Sequence, residues 1–251
     1  MKKLIWKNIA QTLAAIGVLL IVWFVAYHAV GNTELIPPLS DSLQQMCALL
    51  VSGDLWAALG MTLLRTFWAF GVSFVLAVGF AVLAYVYPAV GNFFAPLISA
   101  LRSMPVLAVL LILLSFLGAG KAPVAVAFLS LFPMLYAGIL AALSSVDKRL
   151  VEISRVCGTP LWRKVTAIYL PLSAPYVLKE SAAALSFSLK LIVSAEVLSF
   201  TATSLGGMMQ EAKIYSEIPQ LFALVGLSFL VGLILETAVT LLASVVEKRI
   251  R

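Results

Sequence analysis

Three ionisable residues, Lys190, Glu196 and Glu236, interrupt stretches of sequence that are otherwise close to solid hydrocarbon. A charge placed inside a bilayer is costly, and a chain that keeps one uses it on a transport path or neutralises it with a partner. Around Lys190, the residues Ala182, Ser186 and Ser194 recur at four-residue spacing, which draws one small, polar stripe along a helix. Two chemistries fit this pattern. In the first, Ser186, Lys190, Ser194, Glu196 and Glu236 line a path for a solute. In the second, Lys190 pairs with Glu236 and ties two helices together. Counted from the cytoplasmic ends of their helices, the two residues lie about 14 and about 10 positions deep, a difference of about 6 Å at 1.5 Å per residue that side chains can close. The three charges sum to minus one, so the sequence offers no obviously anion-attracting path.

Other chemistries lack parts. Gly120-Lys121 is followed by Ala122, and no glycine stands five positions before Gly120, so this is not a phosphate-cradling loop. His28 is the single histidine, which leaves histidine-clustered metal sites and Ser-His hydrolysis without their residues and reads as a packing residue at a membrane interface. No cofactor or metal site is expected on this chain.

The elements that carry these residues follow from composition. Of 251 residues, 63% are hydrophobic and 11% charged, which suits a bilayer rather than water. A helix needs about 20 apolar residues to cross the hydrocarbon core. Runs of this kind cover Ile9 to Val30, Leu59 to Tyr87, Phe93 to Leu117, Val124 to Val146, Ala174 to Phe200 and Ile218 to Val246, so the expected fold is an all-α membrane protein with six spans. The first run is too long for a signal core and lacks a small-x-small cleavage site, so it is expected to stay. Residues 1–58 read as an N-terminal membrane helix with its outer loop, and residues 59–251 as a core that contains a cytoplasmic loop at 147–171.

Basic residues set the orientation. With the N-terminus inside, Lys2, Lys3, Lys7, Lys148, Arg149, Arg155, Arg163, Lys164, Lys179, Lys248, Arg249 and Arg251 are cytoplasmic and Arg102 lies near that face, against Arg65, Lys121 and Lys213 toward the outside. Both termini are therefore expected in the cytoplasm, and the net charge of +6 reflects topology rather than nucleic-acid binding. Cys47 and Cys157 then fall on opposite sides and cannot pair.

Two further patterns concern packing. Ala69, Ser73, Ala77 and Ala81 recur every four residues and allow a neighbouring helix to approach closely. In the outer loop, Leu39, Leu43, Met46, Leu49 and Leu50 have helical spacing, for a helix that lies in the interface or packs on other outer segments. Pro96 and Pro105 flank Arg102 and leave two forms open for the third span, a broken helix lining a pathway or a cytoplasmic helix that turns into the membrane near Pro105.

The cytoplasmic loop is the most distinctive segment. Glu152 to Cys157 forms a short helix, Gly158 ends it in a left-handed conformation, and Thr159-Pro160 starts a second. Leu161, Trp162, Val165 and Ile168 are the apolar positions of the second helix, which Pro171 is expected to end. Glu152, Gly158, Ile168 and Leu170-Pro171 resemble, in type and spacing, the loop signature Glu-Ala-Ala-x3-Gly-x9-Ile-x-Leu-Pro of binding-protein-dependent ABC importer permeases.

The resemblance extends from about Thr62 to the C-terminus and is closest to the nitrate/sulfonate/taurine branch. Thr62-Leu63-x-Arg65, the segment "PLISALRSMP" at 96–105, and Glu196 with "SLGG" at 204–207 are similar to motifs of that branch. Ile153-Ser154 replaces the usual Ala-Ala, and the tryptophan common before the Gly-x-Gly of the third span is missing from "LLSFLGAG". The resemblance implies a permease subunit of an ATP-driven importer in a bacterial inner membrane, moving a sulfonate, nitrate, taurine or similar small solute. It implies that Glu152, Gly158, Thr159, Leu161, Trp162, Arg163 and Val165 form a coupling helix for a cytoplasmic ATPase, where ATP and Mg would bind. It also implies a second permease copy in a homodimer, two ATPase subunits and an extracytoplasmic solute-binding protein. An ion-driven secondary transporter or channel is the alternative, motivated by Lys190, Glu196 and Glu236. Against it stands the loop, for which such a carrier has no use, and no inverted repeat is visible.

Overall fold

Small residues decide which helices meet. In lipid, apolar side chains gain nothing by leaving hydrocarbon for protein, so contact depends on close backbone approach and dense packing. The computed structural model of the chain describes residues 17, 18 and 20–250. Within it the longest helix is α3, Gly53–Val86, started by the Ser52 hydroxyl accepting from the Leu55 N–H. The expected stripe of α3, Ala69, Ser73, Ala77 and Ala81, is almost wholly buried and continues outward through Thr66 and Thr62. This edge packs along α6, Ala122–Ser144, whose Leu131, Leu135 and Ile139 fill the space opposite. The third member of this core is α9, Leu170–Ser199, and α11, Ile218–Ile250, packs on the other side of α9. Large apolar side chains such as Trp68, Val75, Leu241 and Leu242 face outward, as a lipid-exposed surface requires.

By length and composition, α3, α6, most of α9 and most of α11 are able to cross a membrane. A bent pair, α4 (Pro88–Ser103) and α5 (Val106–Leu117), whose axes meet at 93°, adds a fifth candidate if the two are counted as one broken span. The break falls at Met104-Pro105, while Pro96 sits inside α4 without ending it. With 12 residues, α5 reaches only about 18 Å and is too short to span the bilayer alone. The expected first span is described only in part, as the apolar helix α1, Leu20–Val30; Lys2, Lys3, Lys7 and Arg251 lie outside the described residues. Outside the membrane helices, α2 (Leu39–Val51) takes the packed rather than the free interfacial form: Leu49 and Met46 join Leu55, Leu189 and Leu224 in one cluster, next to α11.

The loop at 147–171 folds as α7, Lys148–Val156, a turn, and α8, Leu161–Lys164. Gly158 adopts φ +61° and the Thr159 N–H reaches back to the Ser154 carbonyl, the left-handed helix end its position suggests. One expectation is corrected here. Pro171 does not end the second helix: α8 passes through a π turn, Val165–Tyr169, directly into α9, and Pro171 occupies the first turn of α9. A first-turn N–H has no partner within its own helix, so a proline is tolerated there.

Candidate functional site

Lys190 and Ser194 lie on the exposed edge of α9, with Ser186 behind them. Opposite this edge α11 presents Val225, Ser228, Phe229, Gly232, Leu233 and Glu236, spaced three or four apart along one helical face. Between the two helices lies a groove of about 630 Å³, whose lining also includes Leu107 and Met209. Four of the five sequence-derived pathway residues, Ser186, Lys190, Ser194 and Glu236, thus line a single cavity. Its walls are otherwise apolar, so a ligand would meet few but well-separated polar groups.

The expected pairing of Lys190 with Glu236 is not formed. Both side chains reach the groove, yet among the described residues no ion pair joins them within 4.0 Å. The helices themselves meet beside this level, since a Cβ on Gly232 of α11 would stand 3.7 Å from Leu189 and 3.9 Å from Ser186 of α9, so the pair is not missing for want of helix contact.

Glu196 sits elsewhere. It is fully buried, and its carboxylate accepts from Arg65 Nη1 at 2.8 Å and from the Thr62 hydroxyl at 2.9 Å. The Thr62 hydroxyl in turn accepts from the Leu205 N–H at 3.0 Å, and the Gly206 N–H points at the same carboxylate from 3.4 Å. Three helices are joined by this node, α3, α9 and α10, the last being Leu205–Ile214. Gly206 is required by close approach: a Cβ there would stand 2.5 Å from the Val197 nitrogen and 2.7 Å from the Val193 carbonyl oxygen. The sequence shows Thr62 with Arg65 as one motif and Glu196 with "SLGG" as another, and does not show that the two form one structure. A basic and an acidic residue in two otherwise apolar helices were the available signal.

On the opposite side of the bundle, Val165 and Ile168 of the π turn pack into the core, and Tyr169 meets Tyr85 of α3 edge to face at 5.0 Å. Trp162 remains 65% exposed with the Arg163 guanidinium 5.7 Å from its ring centre, and Val156 on α7 is 89% exposed. Glu152, Gly158 and Arg163 are also at the surface, with Thr159 half-buried; the side chain of Leu161 lies outside the described residues. The loop therefore has an anchored side and a bare apolar side. Val165, one of the expected coupling residues, belongs to the first.

Among the described residues, four helices long and apolar enough to cross a membrane, or five with the bent pair counted as one, define a multi-pass membrane protein. Residues 73–251 match the family described as the binding-protein-dependent transport system inner membrane component, and the chain belongs to that family. It is a multi-pass membrane protein and a permease subunit of an ABC importer, a transport component and not by itself an enzyme. A probable ABC transporter permease protein of Brucella melitensis biotype 1 is 27% identical over 201 residues, covering 80% of each chain. The taurine transport system permease protein TauC of Escherichia coli (strain K12) is 22% identical over 237 residues, covering 92% of this chain and 86% of the relative. Among solved structures, an inward-facing conformation of the MetNI methionine ABC transporter shares the fold with a TM-score of 0.65 at 20% identity, over 80% of this chain and 97% of the other. Membership of this family sets aside the ion-driven carrier.

Proposed function

We propose that the chain crosses the bacterial inner membrane six times with both termini in the cytoplasm, and that two copies form the permease of an ATP-driven importer. Its partners are two cytoplasmic ATPase subunits, which bind ATP and Mg, and an extracytoplasmic solute-binding protein. The knob of residues 148–169 is the part that an ATPase subunit grips. The observation that carries this is its division into two faces, one sunk in the core through Val165, Ile168 and Tyr169 and one bare through Val156 and Trp162. A force applied at the bare face passes into α9 without a flexible link.

For the solute, the groove favours a small zwitterion. Lys190 and Glu236 both reach it without neutralising one another, and a molecule with one negative and one positive group would satisfy both. Taurine is such a molecule, and nitrate is not.

Gly158 provides the test of the knob. Nothing stands within 4 Å of where a Cβ would sit, so Gly158→Val acts only through the left-handed backbone, at about 1–2 kcal/mol. In the assembled importer it should lower solute-stimulated ATP hydrolysis with membrane insertion unchanged, and Gly158→Asn, which tolerates that conformation, should retain most of it. Wild-type stimulation in Gly158→Val would refute the coupling role.

A further inference from the structure

A second polar cavity, of about 670 Å³, lies between α4 and the last turns of α6, on the far side of the core from the groove. Small residues line much of it, Gly91 and Ala95 from α4 and Ala137 and Ala141 from α6, with Gly91 lying against Ala84 of α3. Into that space α4 contributes Asn92, Ser99 and Arg102, spaced along the helix so that they reach one cavity. From the other wall comes Tyr136, which is only 5% exposed. Among the described residues, none of these four side chains has a hydrogen-bond or ion-pair partner. Asn92, Ser99 and Arg102 are exposed, so beside a largely buried tyrosine an accessible guanidinium, amide and hydroxyl leave several donors free for the oxygens of one ligand.

The charge selects the ligand. Among the described residues, Arg102 is the one ionisable group lining the cavity apart from the phenol, and no carboxylate faces it. The site therefore carries a single positive charge with amide, hydroxyl and phenol donors beside it, which suits a monoanion with several acceptor oxygens. Its depth selects the source. Ser144, the last residue of α6, is part of the lining, so the cavity opens at the level of the membrane surface rather than in the hydrocarbon. On the neighbouring face of α4, Phe93 and Leu97 are exposed and apolar, 73% and 49%, which would suit acyl chains.

We propose that this cavity binds the phosphodiester headgroup of an anionic phospholipid such as phosphatidylglycerol, with Arg102 holding the charge and Tyr136, Asn92 and Ser99 donating to its oxygens. Basic pockets between membrane helices on the cytoplasmic side recognise headgroups by this chemistry. The assignment to the inner leaflet rests on the orientation proposed above, but the binding does not.

The experiment uses the purified importer complex in a neutral detergent, which makes it independent of topology. Thermal unfolding and native mass spectrometry are followed with phosphatidylglycerol, with phosphatidylcholine and with inorganic phosphate. Phosphatidylglycerol should stabilise the wild type and remain bound, and phosphatidylcholine should not. Arg102→Gln should weaken phosphatidylglycerol binding on the order of tenfold, equivalent to about 1.4 kcal/mol, Arg102→Lys less, and Tyr136→Phe measurably. Since Arg102 has no internal partner to lose, the melting temperature of Arg102→Gln without lipid should match the wild type, which separates lost binding from misfolding. Equal binding of phosphatidylglycerol by wild type and Arg102→Gln would overturn the site, and a full effect from millimolar phosphate would overturn the lipid as its occupant.

Discussion

Removing Arg65 from the buried node should be among the most destabilising single changes in the protein. Arg65→Met keeps much of the length and the apolar stem of the side chain but leaves the Glu196 carboxylate fully buried, with only the Thr62 hydroxyl at 2.9 Å and the Gly206 N–H at 3.4 Å. Breaking one side of a buried pair costs about 3–5 kcal/mol, because the surviving charge cannot recover its water. For a chain of this size roughly 2–4 °C of melting temperature corresponds to each kcal/mol, so the expected loss is about 6–20 °C. Arg65 retains 12% side-chain exposure, which places the expectation toward the lower half of that range. Glu196→Gln alone should cost less, since it keeps an acceptor for Thr62 and leaves a cation that has some access to water. The double variant is the decisive arm. Arg65→Met with Glu196→Gln removes both charges and should recover at least half of the Arg65→Met loss, a non-additivity of about 1.5–3 kcal/mol. The assay is thermal unfolding of the purified permease in detergent, followed by the fluorescence of its tryptophans. Strict additivity of the two single effects would mean that Arg65 and Glu196 do not act as a unit, and would refute the pair as the source of the node's stability.

The groove gives a contrasting expectation: because Lys190 and Glu236 are not joined, Lys190→Met and Glu236→Gln should each leave the melting temperature within about 2 °C and cut uptake about tenfold or more, with no rescue in the double variant. Recovery of stability in the double would restore the pairing, and unchanged uptake would remove both from the path. Cys47 and Cys157 are both exposed, so an impermeant thiol reagent should label the first only in right-side-out vesicles and the second only in inverted ones. Labelling of both from one side would overturn the proposed orientation.

Helix identity was legible from the sequence wherever one physical rule governed it. The four-residue stripe of α3 is buried as its small side chains imply, and Gly158 is left-handed as a glycine between two short amphipathic runs implies. Those features depend on a residue and its near neighbours. What escaped depended on where distant segments meet. Thr62, Arg65, Glu196 and Gly206 span more than half the chain, and only packing reveals that Glu196 belongs to Arg65 rather than to the path. Pro171 misled for a related reason: a proline ends an isolated helix, but here the π turn before it lets α8 and α9 continue as one helical run.

That continuity ties the functional parts together. The 30 residues of α9 extend over about 45 Å, enough to cross the bilayer with length to spare. At its N-terminal end the helix grows out of the knob, about two-thirds of the way along it carries Lys190 to the groove with Ser194 one turn further, and two residues after Ser194 it is fastened by Glu196 to α3 and α10. A shift of the knob cannot be absorbed by a loop, because none intervenes. α9 is packed on α3, α6 and α11, with Leu189 and Val193 sharing one buried cluster with Leu224 and Leu227 of α11, and the groove opens beside that contact. A solute held between α9 and α11 would touch both helices at once, Lys190 on one wall and Glu236 on the other.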